Sequence, residues 1–158
     1  MADPAPSWRW LVNMPTINGS RLNPLYVEEI ELPFLNVGST PRYSGGGREY
    51  FPDVSEVSAV NITFYEDVHY TTMKYLMRWR KLVVDPVTKY YGLPQGVDGY
   101  KMRINWEMYD GVKNVPVFKG YLDNAWPTEI TPWSLNFSSS DRIKISHSFS
   151  VDASVVTV

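Results

Sequence analysis

The spacing of apolar residues changes in the middle of the chain, from a period of two to a period of three and four. Apolar and polar residues alternate over Val57–Tyr65, as in a strand with one buried face. Over Val68–Val84 the apolar residues recur as on one face of an amphipathic helix. The helix face predicted to pack on the core consists of Tyr75, Leu76, Trp79, Leu82 and Val83.

Residues at both ends of this helix favour its boundaries. Asp67 stands at the N-cap position, where a carboxylate accepts amide hydrogens that the first turn leaves unpaired. Arg78, Arg80 and Lys81 lie in the last two turns, where cations suit the negative end of the helix dipole. Pro86 ends the helix, because the residue before a proline is pushed out of helical geometry.

Five further segments have the alternation of strands and bring the total to about six. They are Trp8–Val12, Leu25–Leu35, Lys101–Tyr109, Val115–Leu122 and Arg142–Val151. In Leu25–Leu35, Glu28 interrupts the apolar face and Pro33 lacks an amide donor, which predicts an edge strand or a projecting hairpin arm. The pattern predicts a mainly β fold, a small β-barrel of two packed sheets flanked by one α-helix. Core packing is favoured over subunit contacts for Trp8, Trp10, Trp79 and Trp106.

Glycine and proline mark the segments between strands. Val37–Arg48 contains Gly45-Gly46-Gly47 and is long for a hairpin turn, which predicts a mobile loop. Asp110-Gly111 predicts the turn of a hairpin, and Asn124–Pro127 predicts a corner.

The 158 residues show no internal repeat, so we expect one domain over residues 1–158. Within it, residues 1–24 would be an N-terminal strand and turn segment, and residues 25–50 an arm with a flexible loop. The absence of cysteine excludes disulfides and thiolate metal sites, and two histidines do not favour a histidine-rich metal site. The formal charge of −2 argues against a basic surface that grips nucleic acid. The N-terminus lacks the pattern of a signal peptide and no apolar stretch suits a membrane helix, so we expect neither export by a cleaved signal nor membrane insertion.

One cluster, Glu66-Asp67-x-His69, has the residue types of an acid–base site. A structural role is favoured, because Asp67 is explained by capping and Glu66 by its place near a helix N-terminus. His147 lies on the apolar face of the last strand and is expected to be a hydrogen-bonded core residue. We therefore expect no enzyme, no cofactor and no metal.

The order of several short motifs resembles the tail-tube proteins of contractile-tailed bacteriophages. These motifs are Phe64-Tyr65-Glu66-Asp67, Trp79 in the helix, Asp85-Pro86-Val87-Thr88-Lys89, Tyr100, Tyr109-Asp110-Gly111, Phe118-x-Gly120 and Ala125-Trp126-Pro127. The resemblance covers roughly residues 46–151. It implies a β-barrel with one flanking helix, six copies in a ring, and rings stacked into the tube through which the genome passes. It also implies a place in the virion tail, assembly in the host cytoplasm, and DNA met only in transit without specific binding. The implied partners are other copies of the chain, the tail sheath protein, the baseplate and tail-terminator proteins, and the tape-measure protein during assembly.

A subunit that polymerises needs sheet edges and arms to share with its neighbours. The expected contact residues between subunits and rings are Glu28, Glu29, Glu31, Tyr43, Gly45, Gly46, Gly47 and Arg48. Two polar rows are candidates for the lumen: Lys101, Arg103, Asn105 and Glu107 on one strand, and Ser146, Ser148 and Ser150 on another. Alternation does not decide which sheet faces the lumen. The alternatives are the inner tube of a phage-like contractile injection system and a small β-sandwich module that binds carbohydrate through exposed Trp and Tyr.

Overall fold

A computed structural model describes residues 9–133, 135, 137–138 and 142–157. This part of the chain contains nine strands and one α-helix, so the count of about six strands was too low. The elements are β1 (Trp10–Asn13), β2 (Val27–Ile30), β3 (Asn36–Ser44), β4 (Gly47–Glu56), β5 (Val60–Tyr65), α1 (Thr71–Val83), β6 (Met102–Tyr109), β7 (Pro116–Ile130), β8 (Lys144–Ser150) and β9 (Ala153–Thr157), with a short 3-10 helix at Pro24–Tyr26. Trp8, at the start of the predicted first strand, lies outside the described residues.

Seven strands form the main sheet, which the 15-residue strand β7 divides into two halves. β7 pairs with β6 as far as Ala125 and with β8 from Trp126 onward. Beside this point Asn124 has a φ of +52°, at the corner that the sequence predicts. One half contains β1, β6 and β9, and the other contains β8, β5 and β2. The mainly β fold of two packed sheets with one helix is therefore confirmed.

The core lies between the two halves, and α1 supplies one of its two buried tryptophans, Trp79. Trp79 is fully buried, its ring packs on Tyr75 and Phe149 with centroid distances of 6.3 and 5.4 Å, and its Nε1 donates to the Tyr100 carbonyl at 2.7 Å. Tyr75 and Leu76 are also buried, whereas Leu82 and Val83 are half-buried. Further core residues come from both halves: Val12, Val60, Ile62, Phe64, Ile104, Trp106, Leu122, Ile145 and Phe149.

The helix begins at Thr71, three residues later than predicted, so Asp67 is not the N-cap residue. Val68 is 85% exposed and does not belong to the helix. The carboxylates of Glu66 and Asp67 nevertheless accept the first amides: Glu66 from Thr72 at 3.1 Å and Met73 at 2.9 Å, and Asp67 from Thr71 at 3.0 Å. Hydrogen bonds from the Thr71 hydroxyl and amide hold the pKa of Asp67 below its ordinary range.

The predicted mobile loop at Val37–Arg48 is wrong, because β3 and β4 form an antiparallel hairpin there, with a register shift between Val37 and Ser39. Gly45 and Gly46 make its two-residue turn with φ angles of +55° and +80°, the left-handed backbone that such tight turns require. The predicted strand at Leu25–Leu35 shortens to β2, which lies at an edge of the main sheet as expected.

β9 was missed, because the preceding strand was expected to be the last. It pairs with β7 from Ala153 to Thr157 and extends one half of the sheet. β7 is also longer than the predicted strand Val115–Leu122, since it continues through the corner and joins the second half.

Candidate assembly surfaces

The β3–β4 hairpin is a separate two-stranded sheet that projects from the main sheet. Every residue of its two strands is exposed except Pro41, which is half-buried. Tyr43, Gly45, Gly46, Gly47 and Arg48, predicted as contact residues, all lie at its tip. An exposed hairpin with open edges is a ready template for contact with another chain.

Cations stack on aromatic rings along this hairpin. The guanidinium carbon of Arg48 lies 5.6 Å from the centroid of the Tyr43 ring and 5.2 Å from that of Tyr50. Arg42 lies 4.8 Å from the Phe51 centroid. Sequence reasoning missed Arg42, Tyr50 and Phe51, although a Gly-Gly pair such as Gly45-Gly46 is one of the dipeptides that two-residue hairpin turns favour.

The remaining predicted contact residues lie at a different place, on and just after edge strand β2. Glu28 forms an ion pair with Lys144 at 2.8 Å, which lowers the pKa of Glu28 and raises that of Lys144. Glu29 and Glu31 are exposed. The structure therefore separates the predicted contact residues into an acidic strand edge and a hairpin tip.

The first predicted lumen row begins at Lys101, just before β6, continues along β6 and carries charges of both signs. Arg103 pairs with Asp123 at 3.3 Å and stacks over Tyr121 at 3.8 Å, and Lys101 pairs with Asp152 at 3.0 Å. Asn105 is exposed, and Glu107, half-buried, accepts a hydrogen bond from the Tyr109 hydroxyl at 2.7 Å. Both cations on this row thus have a carboxylate partner.

The second predicted lumen row lies on β8, in the other half of the sheet, and it is rich in hydroxyl groups. Ser148 donates to the Asn61 side chain at 2.6 Å, and the hydroxyls of Ser146 and Thr63 lie 3.4 Å apart. Ser150 is half-buried on the same strand. The two rows therefore lie on strands of different halves of the main sheet.

The Glu66-Asp67-x-His69 cluster is a helix start. Both carboxylates accept backbone amides at the beginning of α1, and the exposed His69 contributes its own amide to Asp67 at 2.9 Å. Across the described ranges no group of three or more His, Cys, Asp or Glu residues is placed to hold a metal ion. No helix in this part of the chain has the length and apolar character needed to span a bilayer.

His147 is a core residue, and its buried surroundings favour the neutral form of its imidazole ring. Its side chain is 1% exposed, its ring lies 5.0 Å from that of Phe149, and Nδ1 lies 3.1 Å from the Ser148 carbonyl. Nε2 has no hydrogen-bond partner among the described residues. Burial lowers the pKa of His147 to about 4.

Acid should therefore destabilise the fold through protonation of His147 in the unfolded state. Because the pKa of His147 falls from 6.5 unfolded to about 4 folded, the unfolded state binds more protons below pH 6.5. The stability that neutral His147 contributes is fully present above pH 6.5. About 3 kcal/mol of the free energy of unfolding should be lost as the pH falls from 6.5 to ~4. Denaturant melts at half-unit pH steps would measure this loss. His147→Gln does not titrate and should show a flatter profile from pH 6.5 to 4.5, so equal slopes would contradict the assignment.

The fold is shared with proteins of contractile injection particles. No model of a known protein family and no curated protein matches the sequence. Among solved structures, the chain is similar to a protein of the sheath/tube terminator of an extracellular contractile injection system, PVC, with a TM-score of 0.73 and 14% identity over 99% of both chains. It is also similar to a protein of the sheath-tube complex of that system, with a TM-score of 0.70 and 14% identity over 98% of this chain and 91% of the other. Hcp1 from Flavobacterium johnsoniae matches with a TM-score of 0.51 and 10% identity over 94% of each chain.

Proposed function

We propose that this chain is the tube subunit of a contractile tail or injection particle, in which six copies form a ring and rings stack into a hollow tube. The observation that carries the proposal is an exposed hairpin on a fold shared, over nearly its whole length, with proteins of sheath/tube assemblies. In a monomer such a hairpin would be a liability, since its edges and aromatic side chains invite association.

The two ends of the main sheet suit assembly into rings. β1 and β2 are both edge strands, so each presents backbone donors and acceptors that no strand of the described chain pairs. A contact that joins unlike edges of neighbouring copies is head-to-tail, and such contacts generate rings when the rotation between copies closes. The β3–β4 hairpin is then free to reach the next ring.

The tube would carry its cargo without holding it. On the β6 row both cations are paired with carboxylates, and the β8 row is built mainly from hydroxyls. Either row would give a lumen with little net attraction for phosphate, and every avoided contact with a phosphate removes a salt-sensitive source of affinity. DNA, or an effector protein in an injection particle, would therefore pass through in transit.

The proposed partners follow from the place of a tube in such a particle. The structural neighbours belong to a sheath-tube complex, a tube terminator and a baseplate assembly. We extend these partners to this chain and add the tape-measure protein during assembly. Its proposed location is the tail, with assembly in the host cytoplasm.

Self-assembly tests the proposal directly. The purified chain, concentrated stepwise, should form six-fold rings that stack into tubes, because the arm and the two sheet edges are available for contact. Mass photometry would count the copies, and negative-stain microscopy would show rings and tubes. Only a monomer of 18.2 kDa, with no tubes at the highest concentration reached, would overturn the tube role and favour a monomeric binding module.

A further inference from the structure

The connector between α1 and β6, residues 84–100, is folded into two closed loops. In the first, the amide of Asp85 donates to the Tyr90 carbonyl at 3.0 Å. In the second, the amide of Tyr100 donates to the Leu93 carbonyl at 3.1 Å. These backbone bonds order the connector, so its outward side chains stand on a defined backbone.

The connector presents a concentration of large apolar side chains to solvent. Five of them are between 73% and 101% exposed: Val87, Tyr90, Tyr91, Leu93 and Val97. Single exposed apolar residues are ordinary, whereas many in one short segment indicate a contact with another molecule. Exposure this nearly complete also means that the side chains project clear of their neighbours.

Cations lie along the helix that leads into the connector. Lys74, Arg78 and Lys81 are exposed, and their spacing of four and three residues places them on one face of α1 together with Met77. Lys89 is exposed in the connector itself. None of these four cations forms an ion pair among the described residues, and the sequence of α1 contains no acidic residue. The face is therefore basic, although the whole chain has a formal charge of −2.

An apolar projection beside unpaired cations has the chemistry of a contact with an anionic lipid surface. Apolar side chains enter the boundary between headgroups and acyl chains, and lysine and arginine attract the anionic headgroups. Tyrosine suits this boundary because its ring is apolar and its hydroxyl is polar. A protein partner would need a cavity shaped to each projecting side chain, whereas fluid lipid adapts to all five.

We propose that the connector and the basic face of α1 form a peripheral binding site for membranes that contain anionic phospholipid. The five apolar side chains of the connector enter the interface, and the four cations contact headgroup phosphates. Such a site holds a protein against one leaflet without any segment that spans the bilayer. The inference does not depend on the proposed tube role, because it concerns a surface of the single subunit.

Vesicle flotation with the full-length chain tests the site. Protein bound to vesicles rises in a density gradient, whereas free subunits and tubes stay below, so assembly does not imitate binding. Vesicles of equal parts phosphatidylcholine and phosphatidylglycerol should carry roughly ten-fold more protein than vesicles of phosphatidylcholine alone. About 0.5 M NaCl should release most of this protein, because salt screens the headgroup charge.

An apolar variant tests the connector. Tyr90→Ser combined with Tyr91→Ser should lower the affinity for the anionic vesicles roughly ten-fold, because apolar area is lost from the interface. The matched control combines Val112→Ser with Val117→Ser, which are also exposed but lie beyond the opposite end of β6. The control should leave the affinity unchanged.

A charge variant tests the helix face. Lys74→Gln combined with Arg78→Gln should lower the affinity for the anionic vesicles roughly thirty-fold, because each cation near the surface contributes about five-fold. The control combines Lys113→Gln with Lys119→Gln, two exposed cations on the β6–β7 hairpin, and should change the affinity by less than about two-fold. Circular dichroism melts of each variant would show that the subunit remains folded.

The outcomes separate lipid from other ligands. Equal flotation with both kinds of vesicle, or with neither, would overturn the proposal. Retention on beads that carry poly-L-glutamate, without flotation, would overturn lipid as the ligand and assign the surface to an acidic protein. Anionic-vesicle binding that survives both variants would place the lipid contact elsewhere on the chain and overturn this site. Flotation reports lipid binding alone, so none of these results bears on the tube role.

Discussion

Replacing Trp79 with alanine should lower the free energy of unfolding by about 3–5 kcal/mol, as large-to-small changes in a packed core do. The Trp79 side chain is fully buried between Tyr75 and Phe149, and its Nε1 donates to the Tyr100 carbonyl. Truncation therefore leaves a cavity and an unpaired carbonyl at once. Because a typical domain is stable by only ~5–15 kcal/mol, the variant should be poorly soluble or largely unfolded.

Met77→Ala is the matched control for this substitution. Met77 lies on the same helix but is 43% exposed, so its truncation should change stability by less than about 1 kcal/mol. Urea denaturation of both variants would give the two free energies. If the Trp79→Ala subunit melted within a few degrees of wild type and lost only assembly, Trp79 would be a contact residue and the core would not depend on it.

Removing the hairpin should abolish tubes and spare the subunit fold. Residues 39–53 can be replaced by an Asn-Gly turn, since Gly38 already lies against the backbone of Val54, with 3.3 Å between an added Cβ and the carbonyl oxygen. The deleted residues are exposed apart from the half-buried Pro41 and form their own sheet, so the thermal melt should move by no more than a few degrees. If the hairpin joins successive rings, microscopy should show single rings and no tubes.

A turn variant provides the control for this deletion. Gly45→Asn changes the two-residue turn from Gly-Gly to Asn-Gly, which suits the same left-handed geometry, so hairpin and tubes should both persist. Full-length tubes from the hairpin deletion would show that stacking uses other surfaces. Unfolding of the deletion variant would show that the hairpin supports the main sheet.

The hairpin tip of the candidate site could be predicted from the sequence, because a run of glycines beside an aromatic and a basic residue is unusual in composition. The glycine run, Tyr43 and Arg48 were predicted as contact residues, and the structure places them together at an exposed tip. A cavity lined by residues of β1, β2 and β6 could not be found in this way, because these strands are distant in sequence and only pairing brings β1 beside β6.

The sequence by itself determined the strands and the helix that have one face on the core and the other face toward solvent. β5, β6 and β8 each place one face on the core and the other toward solvent, so apolar and polar residues alternate along them. The helix followed for the same reason, since one face of α1 packs on the core.

Only the tertiary structure decided the β3–β4 hairpin, the close packing at Gly120 and the placement of the polar rows. No local sequence pattern marks these features. The β3–β4 hairpin is exposed on both faces and therefore has no buried face to detect, so its glycines suggested a loop. Gly120 shows the same limit: an added Cβ would lie 2.3 Å from the Val155 carbonyl oxygen and 2.6 Å from the Trp106 ring. Glycine is required at position 120 because β6 and β9 both pair with β7 there. The three strands are separated in sequence, so no single stretch of sequence shows this requirement. The division of the polar rows between two halves has the same origin, since β7 changes partners where its backbone turns at Asn124.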